Sequence, residues 1–391
     1  MRQIIYLTLL LLFLASCQHS SQKLQLVEEI IDSQPDSALK ILKEIDYKNE
    51  KSQSEKALYG ILMFKALDKN YLDLTPDSLI NFSIAFYQDK KDNEKLGEAL
   101  FYKGRMYNDA YQYENATKLY MLALDNLEGS ENYDLLAKVY SDLGRISVIQ
   151  NEFEKALGKF HKAVFYASKT NNNKNVLKEK INIANVYRFE KKFDKAHQIY
   201  NEVFSNSTDS IISGLVLQEI GVAFFWENVY DSTIYYLKKS LDYPFVDINK
   251  SVRLYVLADA YYELLKLDSA LFYAHESLTY PATFHTKREC YRILANSCYL
   301  KKDFKTMAGY MTHYQTMSDS IRKIDIQTKA TIIEDIHQSN TKVKEKSGQI
   351  YWLIALIILI MGAGIYILYR FIRKNRIISE QKRTMENSLK N

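Results

Sequence analysis

Few residues of this 391-residue chain are spaced for catalysis. Its seven His are scattered without metal-ligand spacing, and there is neither a glycine-rich phosphate loop nor a Gly-x-Ser-x-Gly elbow to expose a nucleophile. Acidic pairs such as Glu152 and Glu154 read as solvated helix faces. Of the three Cys, Cys290 and Cys298 lie eight residues apart on one expected helix. That is about 12 Å, beyond the Cα separation a disulfide spans, so they read as buried small hydrophobes. Cys17 stands apart. It follows Met1-Arg2, an apolar run from Ile4 to Leu14 and then Ala15-Ser16, an order of charge, apolar stretch and small residues that marks an export signal too short to span a bilayer. A second recurrent unit is Asp-Ser, at Asp36-Ser37, Asp77-Ser78, Asp209-Ser210, Asp231-Ser232, Asp268-Ser269 and Asp319-Ser320. Both side chains accept hydrogen bonds from orphan backbone N–H groups, so helix N-caps are expected there. The chain is not expected to be an enzyme, and neither a cofactor nor a metal is expected.

What positions side chains in this chain is a repeat. Small residues fall at Gly104, Gly144, Ala184, Gly221, Ala258 and Ala295, each followed twelve residues on by Ala116, Ala156, Ala196, Thr233, Ala270 and Met307. Four residues after the first three of these come Tyr120, Phe160 and Tyr200. The period is 37 to 40 residues, which with two amphipathic helices per unit marks an all-α helical solenoid rather than an enzyme fold. Two antiparallel helices approach closely only where one side chain is small, and aromatics such as Tyr107, Tyr187, Phe224 and Tyr261 are expected to fill the grooves between pairs. Only 4 Pro and 12 Gly, and no sustained alternation of apolar and polar residues, leave little room for strands. The 31 Tyr suit half-buried positions on a solenoid wet on both sides.

The pattern Tyr140, Leu143, Gly144, Ala156, Phe160 and Ala163 resembles the tetratricopeptide repeat, with Ser147 in its Tyr slot. The resemblance covers about residues 97–317 and implies six repeats over 93–317, preceded by degenerate repeats over 22–92. It also implies a concave groove lined by first helices that takes a protein or peptide ligand. The groove slots hold Phe101, Arg105 and Asn108; Ser141 and Arg145; Asn185 and Arg188; Gln218 and Phe225; Tyr255, Asp259 and Tyr262; Arg292, Asn296 and Tyr299. Arg and Asn in these slots suit peptide backbone and carboxylate recognition. Arg292 with Asn296 resembles one element of a carboxylate clamp whose remaining repeats are absent.

Both ends of the chain carry membrane signals. Leu14-Ala15-Ser16-Cys17 resembles the lipoprotein signal of bacteria, which implies a signal peptide over 1–17, lipidation of Cys17 and a membrane lipid as partner. Residues 350–369 form an uncharged apolar stretch of 20 residues, about 30 Å as a helix and long enough to span. After it come seven basic residues against Glu380 and Glu386, equal to the chain's whole net charge of +5. The excess therefore reads as a topology signal that places 370–391 in the cytoplasm and the repeats in the periplasm, anchored at the inner membrane, and no nucleic acid is expected to bind this chain directly. Between repeats and span, 318–349 reads as a helical stalk, with Asn340 available as a register-setting residue should a homodimer form through it.

The whole layout resembles a group of Bacteroidetes envelope regulators, whose longer members carry an output domain after the membrane. This implies a membrane-tethered periplasmic scaffold with a sensory or assembly role. The alternatives are a truncated one-component transcription regulator and, third, a glycan-binding envelope lipoprotein. The Asp-Ser-x triplets also resemble the O-glycosylation acceptor of Bacteroidetes envelope proteins, with Ser37, Ser78, Ser210, Ser232, Ser269 and Ser320 as the acceptors.

Overall fold

The small residues spaced along the chain meet large ones, and that fit fixes the helix pairs. A Cβ placed on Gly144 would stand 2.6 Å from a Phe160 ring atom, and one on Gly104 would stand 2.6 Å from the Tyr120 ring. The close approach is thus from glycine to aromatic, one helix against the next, rather than from glycine to the alanine twelve residues on. Those alanines, Ala116, Ala156 and Ala196, are fully buried, as are Tyr120 and Tyr200, with Phe160 1% exposed. Burying each such ring contributes about 1.5–3 kcal/mol.

The computed structural model describes residues 21–47, 52–75, 77–170, 172–244 and 247–324, together with Trp352. Among these residues the regular elements are all helices. They are α1 (21–30), α2 (Pro35–Lys43), α3 (Gln53–Lys69), α4 (Asp77–Lys90), α5 (Asn93–Asp109), α6 (Tyr113–Asn126), α7 (Tyr133–Ile149) and α8 (Phe153–Ala167). There follow α9 (Asn173–Phe189), α10 (Phe193–Asn206), α11 (Ser210–Trp226), α12 (Tyr230–Leu241), α13 (Asp247–Glu263), α14 (Leu267–Leu278), α15 (Phe284–Leu300) and α16, described over 304–324. From α2 to α15 each helix packs on the next, and α3 on α5, α9 on α11, α11 on α13 and α13 on α15 as well, so these odd-numbered helices form one layer. Apolar clusters run along the stack from Leu24 to Leu294. A pair of helices alone could not bury such faces, which is why the repeat stabilises itself only as an array.

The odd-numbered helices from α3 to α15 are all 17 residues long. Variation in the period resides instead in the even-numbered helices, which fall from 15 residues in α8 to 12 in α12 and α14, and in the loops after them. The turn inside each pair is constant. Residues 111, 151, 191, 228, 265 and 302 have positive φ, and the next residue donates its N–H to a carbonyl five positions back, as from Gln112 to Tyr107 and from Lys266 to Tyr261. This is the Schellman closure, made here with non-glycine residues, and each carries the left-handed cost of about 1–2 kcal/mol. Leu265, 70% exposed with φ of 55°, loses little packing when changed. Leu265→Gly is expected to raise the thermal midpoint and Leu265→Val, β-branched, to lower it; equal midpoints would contradict the strain.

This turn also corrects the capping expectation. The even-numbered helices α6, α8, α10, α12 and α14 start without a side-chain cap. Side-chain caps stand on α3, α5, α7, α11 and α15, from Ser52, Asp92, Asn132, Asp209 and Thr283, and on α16, where Asp303 accepts from the Thr306 N–H at 3.1 Å. Among the Asp-Ser units only Asp209 is seen to cap, accepting from the Ile212 N–H at 3.0 Å. Asp36, Asp231 and Asp268 lie in first turns, where a carboxylate still favours the helix dipole, and Asp319 lies within α16.

Two expectations about membranes are corrected. Among the described residues no helix is long and apolar enough to cross a membrane. Seventeen residues reach about 25 Å, short of the hydrocarbon thickness of about 30 Å, and α16 carries Lys305, Asp319, Arg322 and Lys323. Among the described residues the fold is therefore an all-α tetratricopeptide-like solenoid with no membrane-crossing helix, and the inner-membrane localisation that rested on such a helix is withdrawn. The expected span itself, Cys17 with its signal, the 325–349 part of the stalk with Asn340, and the basic tail lie outside the described residues, apart from Trp352. The expected boundary between repeats and stalk at 317/318 falls within the continuous α16.

Candidate functional site

A cavity of about 380 Å³ opens on the odd-helix face, lined chiefly by α3, α5, α7 and α9. It is made by the repeat itself: slots one period apart on successive first helices face the same space, so Asp68, Arg105 and Asp142, 37 residues apart each time, converge. The Arg105 guanidinium donates to Asp68 Oδ1 through Nε at 2.9 Å and Nη2 at 2.8 Å. Its Nη1 lies 3.5 Å from Asp142 Oδ2. The Tyr120 hydroxyl donates to Asp142 at 3.3 Å, and Arg145 Nη1 stands 3.5 Å from its other oxygen. Burial opposes the Arg105 charge, but Asp142 and Asp68 outweigh it and raise its pKa. Burial raises Asp109 beside them, against the pull of Arg105.

Five basic and four acidic residues line the cavity, so its charge is nearly balanced. Most of that charge is used internally: Lys69 pairs with Asp32 at 3.0 Å, and Lys138 with Asp134, whose other donor is Asn175 at 2.9 Å. Glu179 is 8% exposed and accepts from the Asn182 amide at 2.9 Å. Burial raises its carboxyl above the ordinary value, opposed by that hydrogen bond and by Arg145. An acid whose folded pKa exceeds its unfolded value contributes stability below the unfolded value and loses it as pH rises through the folded one. Glu179→Gln is accordingly expected to raise the thermal midpoint at about pH 7 and leave it unchanged near about pH 4, where both forms are largely neutral. A lower midpoint at neutral pH would show that the cavity cations stabilise the charge.

The sequence slots behave unequally. Phe101, Arg105, Ser141 and Arg145 line the cavity; Asn108, Asn185, Arg188, Gln218, Phe225, Tyr255, Asp259, Tyr262, Arg292, Asn296 and Tyr299 do not. Arg188 is buried, bound to Glu219 at 3.2 Å, with its guanidinium carbon 4.9 Å from the Phe189 ring centre and 5.4 Å from that of Trp226. Asn185 accepts from Tyr200 and Arg188, and Gln218 accepts from the buried Arg253 at 3.0 Å. Arg292 is held by Asp259 and Glu289, each at 2.7 Å. Burial, then Asp259 and Glu289, pushes the Tyr255 hydroxyl up to about 12. Phe225 packs on Tyr230 at 5.8 Å, and Tyr299, 59% exposed, on Phe304 at 6.0 Å.

Sequence reasoning thus named the arginines and missed the acids Asp68, Asp142 and Glu219 that hold two of them. For Arg105 the available signal was an acid one period, 37 residues, to either side; Glu219, 31 residues after Arg188, carried no such signal. It also missed Lys178 and Glu179. Of the serines named as acceptors, Ser37, Ser78 and Ser210 are exposed; Ser232, Ser269 and Ser320 are half-buried, the last donating to the Thr316 carbonyl at 3.0 Å. Cys290 and Cys298 are buried free thiols, and among the described residues no group of three or more His, Cys, Asp or Glu could hold a metal ion.

No protein-family model and no curated protein matches the chain. Solved structures do. A Rap protein complexed with competence and sporulation factor is 11% identical over 79% of this chain and 99% of its own, with a TM-score of 0.53. The apo form of the quorum sensor NprR from B. thuringiensis is 11% identical over 81% and 99%, at 0.54, and NprR in complex with its cognate peptide NprX is 12% identical over 76% and 89%, at 0.53. The fold is a tetratricopeptide-like solenoid. At these identities the likeness is one of fold, and the residues of the cavity stand on their own geometry.

Proposed function

We propose that this chain is a scaffold that binds a peptide or protein partner on its odd-helix face, in a sensory or assembly role. The observation that carries the reading is the cavity across α3, α5, α7 and α9, large enough for several side chains of an extended segment and fringed by polar groups. The peptide and factor complexes formed by NprR and the Rap protein, which share the fold, support it. A random heptapeptide library screened against the full chain is expected to enrich binders that no longer bind Arg145→Trp. Arg145 has a side chain 56% exposed, so Trp there obstructs the cavity without entering the core. No enrichment, or enriched binders indifferent to that change, would remove this face as the binding site.

A further inference from the structure

Arg145 and Lys178 are the two cations of the cavity that its own acids leave least neutralised. Arg105 sits between two aspartates, Lys69 and Lys138 each hold one, whereas Arg145 shares Asp142 with Arg105 at 3.5 Å and is 56% exposed. Lys178 forms no ion pair within 4.0 Å among the described residues. Partial burial, together with the positive charges of Lys174 and Arg145, holds its ammonium below the ordinary value, against the weaker pull of Glu179 and Asp209. Lys174 is itself bound to Asp209 at 2.9 Å. Two cations on adjacent first helices therefore face one cavity and repel each other, an arrangement that costs stability unless an anion comes between them. Glu179, beside them, forms an ion pair with neither: its carboxylate accepts from the Asn182 amide at 2.9 Å, and burial opposes its charge.

We infer that the cavity takes an acidic side chain of a peptide ligand between Arg145 and Lys178. The inference rests on the peptide-binding reading and adds what the peptide must carry. Charge complementarity chooses the occupant: an acidic residue pairs with both cations, a neutral one leaves them repelling, and a basic one adds a third. The flanking length of the cavity, from Tyr71 and Phe101 to Asn175, offers contacts to a chain that a free anion would not use.

The test is titration of the full chain with fluorescent, end-blocked hexaglutamate, hexaglutamine and hexalysine peptides at low salt, with glutarate and inorganic phosphate as competitors. Hexaglutamate should bind and the other two should not, and affinity should fall at least about tenfold in Arg145→Glu and in Lys178→Glu. Lys302→Glu, the same charge change on a distant turn, should alter it by less than about twofold, while Glu179→Gln should tighten it. Equal loss in Lys302→Glu would mean diffuse attraction and overturn the site. Competition by glutarate or phosphate as strong as by unlabelled hexaglutamate would overturn a peptide as occupant in favour of a free anion. Library peptides that bind through the cavity without enrichment of Asp or Glu would leave the peptide-binding reading standing and overturn this inference alone. Midpoints of the two cavity variants no lower than the parent's, measured alongside, separate lost binding from lost folding.

Discussion

Arg105→Met is expected to destabilise the solenoid by about 3 kcal/mol, the low end of the cost of breaking a buried ion pair. The low end applies because the Arg105 side chain is 21% exposed, whereas Asp142 beneath it is 7% exposed. Without the guanidinium, Asp68, Asp142 and Asp109 share a poorly solvated space, with the long Arg145 contact to Asp142 left as compensation. Asp109, whose carboxyl burial already raises, loses the cation that opposes that rise, so the penalty at neutral pH shrinks on acidification. Urea unfolding at neutral and acidic pH should show the gap between variant and parent closing as pH falls. Arg145→Met provides the contrast: its contact with Asp142 is long and its side chain solvated, so it should cost under about 0.5 kcal/mol. Arg105→Met as stable as the parent would overturn Arg105 as a brace between repeats.

Gly144→Leu is the second large effect. The new Cβ would fall 2.6, 2.8 and 2.9 Å from three atoms of the Phe160 ring, and that ring, 1% exposed, has no open side to swing into. Overpacking of this kind costs about 1–3 kcal/mol or more, and the thermal midpoint should fall by several degrees. Gly158→Leu supplies an internal control on α8. A Cβ there meets nothing within 4 Å, and Leu exceeds Gly in helix propensity by several tenths of a kcal/mol to about 1 kcal/mol. Gly158→Leu should therefore raise the midpoint while Gly144→Leu lowers it. A shift of the same sign in both would refute the packing register, since two glycines fourteen residues apart differ in effect only if one faces its partner helix and the other faces solvent.

That contrast between Gly144 and Gly158 shows where sequence reading succeeds. A glycine recurring at the repeat period was legible as a packing position, because close approach is a local steric demand that every unit must meet again. The solenoid itself and the assignment of Arg105, Arg145, Arg188 and Arg292 to first helices follow from the same periodicity. Capping at Asp231 and Asp268 was misjudged, because a pattern of residue types does not reveal that a left-handed residue such as Asn228 or Leu265 closes the preceding turn. For the membrane helix expected at 350–369 the sequence offered an apolar composition alone, and among the described residues no helix is long and apolar enough to cross a membrane.

What the sequence determined alone is thus the periodic part: an all-α array of helix pairs and the positions at which small residues recur in it. What only the tertiary structure decided is which charges remain available. Asp68 lies one repeat before Arg105 and Asp142 one repeat after, and whether they reach it depends on how successive first helices stack. The answer divides residues that look alike in sequence. Arg105, Arg188 and Arg292 are consumed in holding neighbouring repeats together, while Arg145 and Lys178 stay open. The physical reason is that an arginine's function is set by the carboxylates within about 4 Å of it, and that distance is fixed by packing between repeats, which the spacing of residues along one repeat does not encode.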